Sequence, residues 1–518
     1  MADTKREIER KYEGPATENG TESLPDLSGV PGVAAVVDKG VAELDATYYD
    51  TPDQRLAAAS LTLRRRTGGA DAGWHLKLPV SEGVRDEIRA PLSDTVPRAL
   101  SGLVRSRVRD TELVPLVRLL SARDVRHLVD GSGALLAEVS LDRVRAERLD
   151  GSGGTAAWTE IEVELADDGD PAFLDKVEEK LRKAGLHRSA APSKLAKALA
   201  ETGKQSGKRS GKRAQEGGRA AEPAPAADPV TAGDHVLAHL RAQRDAIVEL
   251  DPAVRRDVHD SVHSMRVATR RMRGTFGSYA KVLDPAVTGP IGEELKWLAG
   301  ELGVDRDREV LTERLTQALA ELPRTLVGGP VRARLRTWAH ARHGGSRRRL
   351  LAVLDGKRYL ALLAALDALV TDPPLLGAAA GDPEKVIAKA VRRDFAKVSG
   401  LVGQALDGQP GTDRDLAMHE ARKKAKRARY SAEAAVPALD APAARLAKAM
   451  KSLQGLLGDH QDSVMTREAL RELAALAHAA GESSFTYGVL YGREEQRAAA
   501  VEAALPEAWR ATLEQASV

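Results

Sequence analysis

Up to about residue 201, the chain repeatedly alternates charged and apolar side chains with a period of two residues, which is typical of β-strands. Residues 7–11 place Glu7, Glu9 and Lys11 on one face, and residues 158–165 place three glutamates opposite three aliphatic side chains. The same alternation recurs at residues 61–66, 74–78, 85–89 and 138–142. One such strand is typical of a sheet edge, whereas six or more predict an antiparallel barrel of about eight strands with a charged lumen.

From residue 232 onward the periodicity is helical, and two motifs occur twice with the same internal spacing. The basic motif that begins at His263 recurs at His419, 156 residues later. A Leu-Gly motif ending at Gly303 recurs at Gly458, 155 residues later. The agreement of the two offsets predicts a duplicated helical unit with an approximate two-fold axis.

Between these two parts, residues 203–230 are rich in Gly, Lys, Arg, Ser, Ala and Pro, which predicts a flexible basic linker. We therefore expect one domain at residues 1–202 and a second at 231–518, with repeat halves at about 231–375 and 380–515. The predicted fold class is α+β, with an N-terminal eight-stranded antiparallel β tunnel and flanking helices, followed by an all-α region.

Composition narrows the functional classes. The 518 residues include 78 basic and 75 acidic side chains, so the positions of the charges matter more than the net charge of +3. The absence of cysteine excludes disulfides, thiolate metal sites and cysteine nucleophiles. No apolar run reaches the length of a membrane span and the N-terminus is polar, so we expect a soluble cytoplasmic protein without a membrane partner.

A lumen lined by acids on one side and bases on the other suits one class of ligand. Arginine and lysine bind phosphate oxygens, and clustered carboxylates bind Mg²⁺ or Mn²⁺ through oxygen. Metal ions that bridge phosphate oxygens neutralise the charge that develops in phosphoryl transfer. A linear polyphosphate such as a triphosphate is therefore the predicted ligand.

The segment Glu7-x-Glu9-x-Lys11 resembles the signature of the CYTH domain, also called the triphosphate tunnel metalloenzyme family. Further matching stretches follow in the family's order: 49–51, 63–66, 76–77, 85–87, 118 with 123, 142, 160–164 and 193–194. The resemblance covers about residues 3–201 and implies metal-dependent hydrolysis of inorganic triphosphate or a nucleoside triphosphate.

The resemblance also implies roles for individual residues. Catalytic roles fall to Glu7, Glu9 and Lys11. The implied ligands of Mg²⁺ or Mn²⁺ are Glu7, Glu9, Asp142, Glu160 and Glu162. Triphosphate binding is implied for Lys11, Arg64, Arg66, Lys77, Arg118, Arg123 and Lys194. Arg85 and Glu87 form a candidate internal ion pair, and residues 118–123 contain fewer basic side chains than the family pattern.

In the helical part, each basic motif places its cations within one arc of roughly 160° of a helix, opposite small apolar residues. Like charges at this spacing repel one another by up to a few tenths of a kcal/mol per pair. A helix face built for stability alone would interleave acids, so the two matched cationic faces predict a polyanionic ligand.

These motifs resemble the CHAD domain, a helical module often joined to CYTH, over about residues 232–515. The resemblance implies a two-lobed α-helical bundle with an internal repeat that binds inorganic polyphosphate in a basic cleft. The implied ligands are His263, Arg266, Arg270, Arg271, Arg273, His419, Arg422, Lys423, Lys426, Arg427 and Arg429.

Alternatives remain for both parts. Nucleic acid is a weaker candidate partner for the basic faces, because an aromatic content of 3% leaves few side chains on which bases could stack. A metal bound by His259, His263, His419 and His460 is disfavoured by the surrounding arginines. The protein could also be a catalytically idle polyphosphate-binding adaptor, or an adenylate cyclase.

Overall fold

The computed structural model describes residues 3–14, 23–151, 153–209, 228–303, 306–343 and 346–516. It divides into two compact units, Met1–Ala226 and Ala227–Val518. The strands of the first unit are β1 (Asp3–Glu13), β2 (Ala35–Asp50), β3 (Thr62–Thr67), β4 (Gly73–Ser81), β5 (Val84–Ala90), β6 (Val114–Val129), β7 (Leu135–Arg148), β8 (Thr155–Leu165) and β9 (His187–Arg188). Its helices are α1 (Arg55–Ala58), α2 (Arg98–Val108), α3 (Ala172–Lys183) and α4 (Lys194–Arg209).

The first eight strands form a closed antiparallel barrel. The strand order is β5-β4-β3-β2-β6-β7-β8-β1, and β1 also pairs with β5, which closes the ring. The short β9 adds to the end of β1. The eight-stranded tunnel predicted from the alternation is therefore confirmed.

Apolar side chains on the outer faces of the barrel pack against helices. Val139 and Ile161 pack with Val177 of α3, and Trp74 and Leu76 belong to a second cluster that α2 completes. Because residues of opposite parity point to opposite faces of a strand, this outward packing directs the charged residues inward.

The predicted linker differs in part from the structure. Helix α4 continues to Arg209, so residues 203–209, which the composition assigns to the flexible linker, are helical. Residues 210–227 of the predicted linker lie outside the described residues.

The second unit is helical. Its helices are α5 (Ala232–Arg255), α6 (Ser261–Ser278), α7 (Pro285–Glu301), α8 (Arg306–Ala320), α9 (Val331–His343), α10 (Ser346–Leu354), α11 (Lys357–Thr371), α12 (Pro383–Asp407), α13 (Thr412–Ala479) and α14 (Phe485–Gln515). Two short 3₁₀ turns lie at Arg324–Leu326 and Gly377–Ala380. The small apolar faces predicted opposite the two cationic faces are buried: Met265, Ala268, Met272 and Phe276 on α6, and Ala421, Ala425, Ala428 and Ala432 on α13.

Two separate hydrophobic clusters form the two lobes, and both draw on both repeats. The smaller cluster contains Leu315 and Leu470, which occupy equivalent repeat positions. The larger cluster contains the equivalent pair Leu350 and Leu505. Each cluster thus contains parts of both repeats, and the two lobes are not the two repeats themselves.

The long helix α13 is a fusion of two elements that are separate in the first repeat. Its backbone breaks at Asp440, where φ is 50° and ψ is −130°. The equivalent residue in the first repeat is Asp284, which caps the N-terminus of α7 by accepting a hydrogen bond from the Ala286 amide at 2.8 Å. The break therefore marks the boundary between the counterparts of α6 and α7.

Within the described part of the chain, no helix combines the length and apolar character that a membrane span requires.

Candidate active site and basic cleft

The barrel encloses a cavity of about 550 Å³, and the inward faces of its strands line it. Nine of the predicted site residues line this cavity: Glu7, Glu9, Lys11, Arg64, Arg66, Lys77, Arg123, Glu162 and Lys194. The start of α4, including Ser193 and Leu195, also contributes to the lining. The cavity therefore brings together the acids and bases that lie far apart in sequence.

Three carboxylates converge on neighbouring strands β7 and β8, and we call Asp142, Glu160 and Glu162 the acid triad; of these, Glu162 lines the cavity. One oxygen of each lies within 4.8 Å of the others, and all three side chains are buried. Asp142 and Glu160 face each other in the β7–β8 register. Arg123 donates two hydrogen bonds to Asp142, at 2.8 and 2.7 Å, and one to Glu162 at 2.6 Å.

Cations hold two members of the triad, Asp142 and Glu162, in their charged form. Burial raises the pKa of Glu162, but Lys11, Lys194 and Arg123 outweigh it and set that pKa well below its usual range. Lys11 contacts Glu162 directly and lies 3.3 Å from Glu9. Although Glu9 is also buried, Lys11 and Lys77 lower its pKa to about 2.

The opposite wall is organised around Glu87, which is fully buried. It pairs with Arg64 at 3.5 Å, with Lys77 at 3.8 Å and directly with Arg89. Lys77 also contacts Glu7. Burial raises the pKa of Glu7 and Lys77 opposes that effect, but the nearby Glu87 adds to it, and the pKa is about 7.

Behind this wall, His75 ties the sheet to a loop. Its Nδ1 lies 2.9 Å from Glu87 Oε1 and its Nε2 lies 2.9 Å from the Asp71 carbonyl oxygen. Both neighbours are acceptors, but burial, together with the charges of Arg64 and Arg66, lowers the pKa of His75 to about 4, so the neutral ring donates to one of them. The Asp71 side chain in turn pairs with Arg66, and Glu87 pairs with three further cations, so His75 is linked indirectly to four of the basic groups in the cavity.

In the helical unit, four cations from the two repeats meet, and we call Arg266, Arg270, Arg422 and Lys426 the axial cation cluster. Arg266 is equivalent to Arg422, and Arg270 is equivalent to Lys426. Burial, together with the charges of Arg422, Arg270 and Arg266, lowers the pKa of Lys426 to about 8. The cluster is thus a site of concentrated positive charge, with Asp462 at 3.8 Å from Arg422 as a nearby acid.

Contacts around the cluster are reciprocal, as a two-fold axis requires. Gly274 and Tyr430 occupy equivalent positions and contact each other, since a Cβ on Gly274 would lie 3.5 Å from Tyr430 Cβ. Arg271 bonds to Glu433 at 3.0 Å, and its equivalent Arg427 lies against Gly277, the equivalent of Glu433. The axis therefore passes between α6 and α13, beside the cluster.

Comparisons with known proteins agree with this architecture. A CYTH domain model matches residues 5–199, and a CHAD domain model matches residues 238–471. An uncharacterized protein of Mycobacterium tuberculosis is 37% identical over 503 residues, which are 94% of this chain and 92% of that protein. This chain belongs to the CYTH–CHAD family.

Two further relatives match parts of the chain. Thiamine-triphosphatase of Homo sapiens is 42% identical over 85 residues, which are 16% of this chain and 31% of that enzyme. Among solved structures, PptA from Streptomyces chartreusis is 22% identical and matches 54% of this chain and 99% of its own, with a TM-score of 0.46.

Within the CYTH domain, the structure separates Arg118 from the other predicted phosphate ligands. Arg118 lies on the outer face of β6, where it donates to both carboxylate oxygens of Asp45, at 3.0 and 2.6 Å. Arg123 lies on the inner face. The two residues are five positions apart, and an odd separation on a regular strand places side chains on opposite faces.

Arg85 and Glu87 do not form the expected ion pair with each other, and each has other partners. Arg85 donates to the Pro192 carbonyl oxygen, just before α4, while Glu87 contacts His75 and three cations. Sequence reasoning missed His75 and Arg89 as site residues. Arg89 could have been found, because it follows Glu87 by two positions and so shares its face.

The acid triad suits a hard divalent cation, since it offers clustered carboxylate oxygens on rigid strands. Glu7 and Glu9, also predicted as metal ligands, do not belong to this group and instead contact Lys77 and Lys11. Mg²⁺ or Mn²⁺ would therefore be held by the triad, with Glu9 connected to it through Lys11.

In the CHAD domain, the remaining predicted ligands differ in their partners and in their exposure. Arg427 lies 3.4 Å from Asp394, Lys423 bonds to Glu420 at 2.6 Å, and Arg429 pairs with Glu433 at 3.3 Å. His263 is exposed, Arg273 is half-buried, and His419 Nδ1 lies 2.6 Å from Gln461 Oε1. His460 is buried beside Asp415 and Glu502, at 3.3 and 3.4 Å.

Proposed function

We propose that the CYTH domain hydrolyses the terminal phosphoanhydride bond of inorganic triphosphate or a related triphosphate, with Mg²⁺ or Mn²⁺. One observation carries this proposal: Glu162 of the buried acid triad lines the same cavity as the arginine and lysine side chains of the opposite wall. The likeness to thiamine-triphosphatase, over 85 residues, supports a triphosphate as the substrate class.

The residues of the chain divide the work. A bound metal ion would neutralise phosphate charge and activate the attacking water. Arg64, Arg66 and Lys77 would bind the phosphate oxygens, and Glu87 and Asp71 keep these cations oriented toward the cavity. Lys11, fixed between Glu9 and Glu162, would place its ammonium beside the reacting phosphate.

Hydrolysis is favoured over cyclisation of ATP by the character of the cavity lining. Among the described residues that line the cavity, Tyr48 is the one tyrosine, phenylalanine or tryptophan, and its hydroxyl oxygen accepts from Arg64 at 3.4 Å. An adenine base therefore finds no pair of large aromatic rings between which it could stack. Cyclic AMP formed from ATP in preference to phosphate release would reverse this ranking.

The test of hydrolysis is phosphate release from tripolyphosphate, ATP and thiamine triphosphate in Mg²⁺ or Mn²⁺. A Glu7→Gln, Glu9→Gln double variant should lose at least about a hundredfold in rate, since it removes two charges that orient Lys77 and Lys11. Circular dichroism must show that the variant is folded. Full activity in a folded double variant would contradict the proposal.

We propose further that the CHAD domain binds inorganic polyphosphate. The axial cation cluster carries this proposal, because a flexible polyanion requires several closely spaced cations and little shape recognition. This binding would persist in a protein whose tunnel is catalytically idle. A protein that binds polyphosphate but releases phosphate from none of the tested substrates would therefore be an adaptor.

The binding test uses fluorescence anisotropy of end-labelled polyphosphate at two salt concentrations. An Arg270→Glu, Lys426→Glu variant should reduce affinity by at least about a hundredfold, because it reverses half of the cluster. A matched variant, Lys385→Glu, changes an exposed lysine on α12 that bonds to Asp382 at 3.6 Å, and should bind normally. Equal affinity of the parent and the cluster variant would refute binding at this site.

A further inference from the structure

The acid triad already contains a cation of the chain itself. Lys194 Nζ lies 2.8 Å from Asp142 Oδ2, 2.9 Å from Glu160 Oε1 and 2.5 Å from Glu162 Oε1. A lysine ammonium has three N–H donors, so one donor is available for each member of the triad. The Lys194 side chain is 9% exposed, and water contributes little to its solvation.

We propose that Lys194 is an internal counter-ion that competes with the divalent metal for the acid triad. The inference rests on the proposed metal-dependent function of the tunnel. It assigns Lys194 a role distinct from phosphate binding: metal enters the triad when the ammonium leaves it.

The Lys194 ammonium and a divalent metal ion exclude each other from the acid triad, because of both charge and space. Arg123 and Lys11 already pair with the triad, so Lys194 brings the three carboxylates and their three cations to balance. A divalent ion at the position of the ammonium would meet the same three oxygens. With both present at contact distance in a buried site, repulsion between ammonium and metal is strong.

The start of α4 allows Lys194 to leave without unfolding of the helix. Lys194 is the first residue of α4, and the helix remains anchored by buried Leu195 and Ala198. The Ser193 hydroxyl oxygen accepts from the Ala196 amide at 3.0 Å, and the Pro192 carbonyl accepts from Arg85. The long flexible stem of lysine can therefore swing within the cavity while the backbone stays in place.

A triphosphate in the same cavity offers the displaced ammonium a new anionic partner. Lys194 lines the cavity together with the phosphate-binding candidates on the opposite wall. Transfer of Lys194 from the triad to a phosphate oxygen would free the triad as the substrate binds. Metal and triphosphate should consequently strengthen each other's binding.

The test measures Mn²⁺ binding to the full-length protein by calorimetry, with no phosphate compound present. Lys194→Met should bind Mn²⁺ at least tenfold more tightly than the parent. The matched control is Lys5→Met, which removes a lysine that lines the same cavity but bonds to Glu164 at 2.7 Å, outside the triad. The control should bind Mn²⁺ as the parent does, and equal affinity of all three proteins would overturn the proposal.

A second variant and a second signal guard against misfolding. Lys194→Gln keeps most of the side-chain volume and two donors, and it should show the same direction of change. Trp158 Nε1 donates to Glu160 Oε2 at 2.7 Å, so Mn²⁺ in the triad should quench Trp158 fluorescence. Trp158→Phe should abolish this quenching. If calorimetry detects Mn²⁺ binding but no quenching assigned to Trp158 accompanies it, the metal lies elsewhere and the proposal is overturned.

These outcomes are separable from those of the proposed function. A parent protein that releases phosphate from tripolyphosphate, beside a Lys194→Met variant of unchanged Mn²⁺ affinity, would overturn the competition alone. A parent that releases no phosphate would overturn the triphosphatase, while the comparison of Mn²⁺ affinities would still decide the role of Lys194.

Discussion

Polyphosphate binding should weaken with rising pH because of one residue, Lys426. Burial and the neighbouring cations of the axial cluster lower the pKa of this lysine to about 8 in the free protein. Polyphosphate oxygens would favour the ammonium form, and should return its pKa toward the ordinary value of about 10.4. Between these two values, each binding event must therefore take up a proton.

The magnitude follows from the two pKa values. At about pH 7 the lysine is mostly charged in both states, and binding needs no proton. At about pH 9 roughly nine-tenths of the free protein has a neutral Lys426, so the affinity should be about tenfold lower, or about 1.4 kcal/mol weaker. The fall should level off above about pH 10, where the bound form also loses its proton.

The assay is titration calorimetry with long-chain polyphosphate at constant ionic strength, in two buffers of different ionisation enthalpy. The difference in heat between the buffers gives the number of protons taken up. Lys426→Arg is the matched variant, since arginine keeps its charge throughout this range. A parent that takes up no proton at about pH 9, or a Lys426→Arg variant with the same loss of affinity, would refute the reasoning.

Three further outcomes follow from the structure. Lys426→Met should raise the melting temperature at neutral pH, because the unfolded chain holds this proton more tightly than the folded one; the unfolding free energy of the parent should correspondingly increase from about pH 8 to about pH 10. Arg123→Ala should weaken triphosphate binding and slow tripolyphosphate hydrolysis, whereas Arg118→Ala, on the outer face, should leave tripolyphosphate hydrolysis within about twofold of the parent; equal losses in the two variants would contradict the assigned faces. Gly303→Ala should weaken polyphosphate binding by at least about threefold, since the added Cβ would lie 2.6 Å from a guanidinium carbon of the axial cluster. Gly300→Ala, with open space around it, should bind normally and gain up to about 1 kcal/mol in stability, as calorimetric melting can check.

The barrel could be predicted because strand periodicity is a local property of the sequence. Alternation at residues such as Glu7 and Glu9 requires only that one face be buried, and the closed sheet then follows from the number of such strands. The same rule separates Arg118 from Arg123: the family resemblance implies phosphate binding for both, but only Arg123 lies on the inner face of β6. Their odd separation was sufficient to place them on opposite faces.

Contacts that depend on closure of the sheet could not be predicted in the same way. The bond from His75 to Glu87 joins β4 and β5, and the bond from Arg85 reaches a carbonyl before α4. Lys194 meets Asp142 only because α4 returns to one end of the barrel. No periodicity in the sequence encodes these distances, since each depends on the register of several strands together.

In the helical domain, the repeat was visible in sequence but the division into lobes was not. Equal spacing of two motifs reveals a duplication, whereas the partner of each apolar face is decided by packing. Leu315 packs in one cluster with its equivalent Leu470, so the duplicated units exchange contacts rather than fold side by side.

This exchange of contacts bears on the nature of the ligand. Because Arg266 and Arg270 are related to Arg422 and Lys426 by the approximate axis, the cluster presents nearly the same charges in both directions along its surface. A single nucleic-acid strand has a direction, and reversing it exchanges unlike groups. An inorganic polyphosphate chain is the same from either end, so every encounter orientation is productive. The symmetry of the cluster therefore favours polyphosphate over nucleic acid, and competition by single-stranded DNA at equal phosphate concentration should be at least about tenfold weaker than competition by polyphosphate.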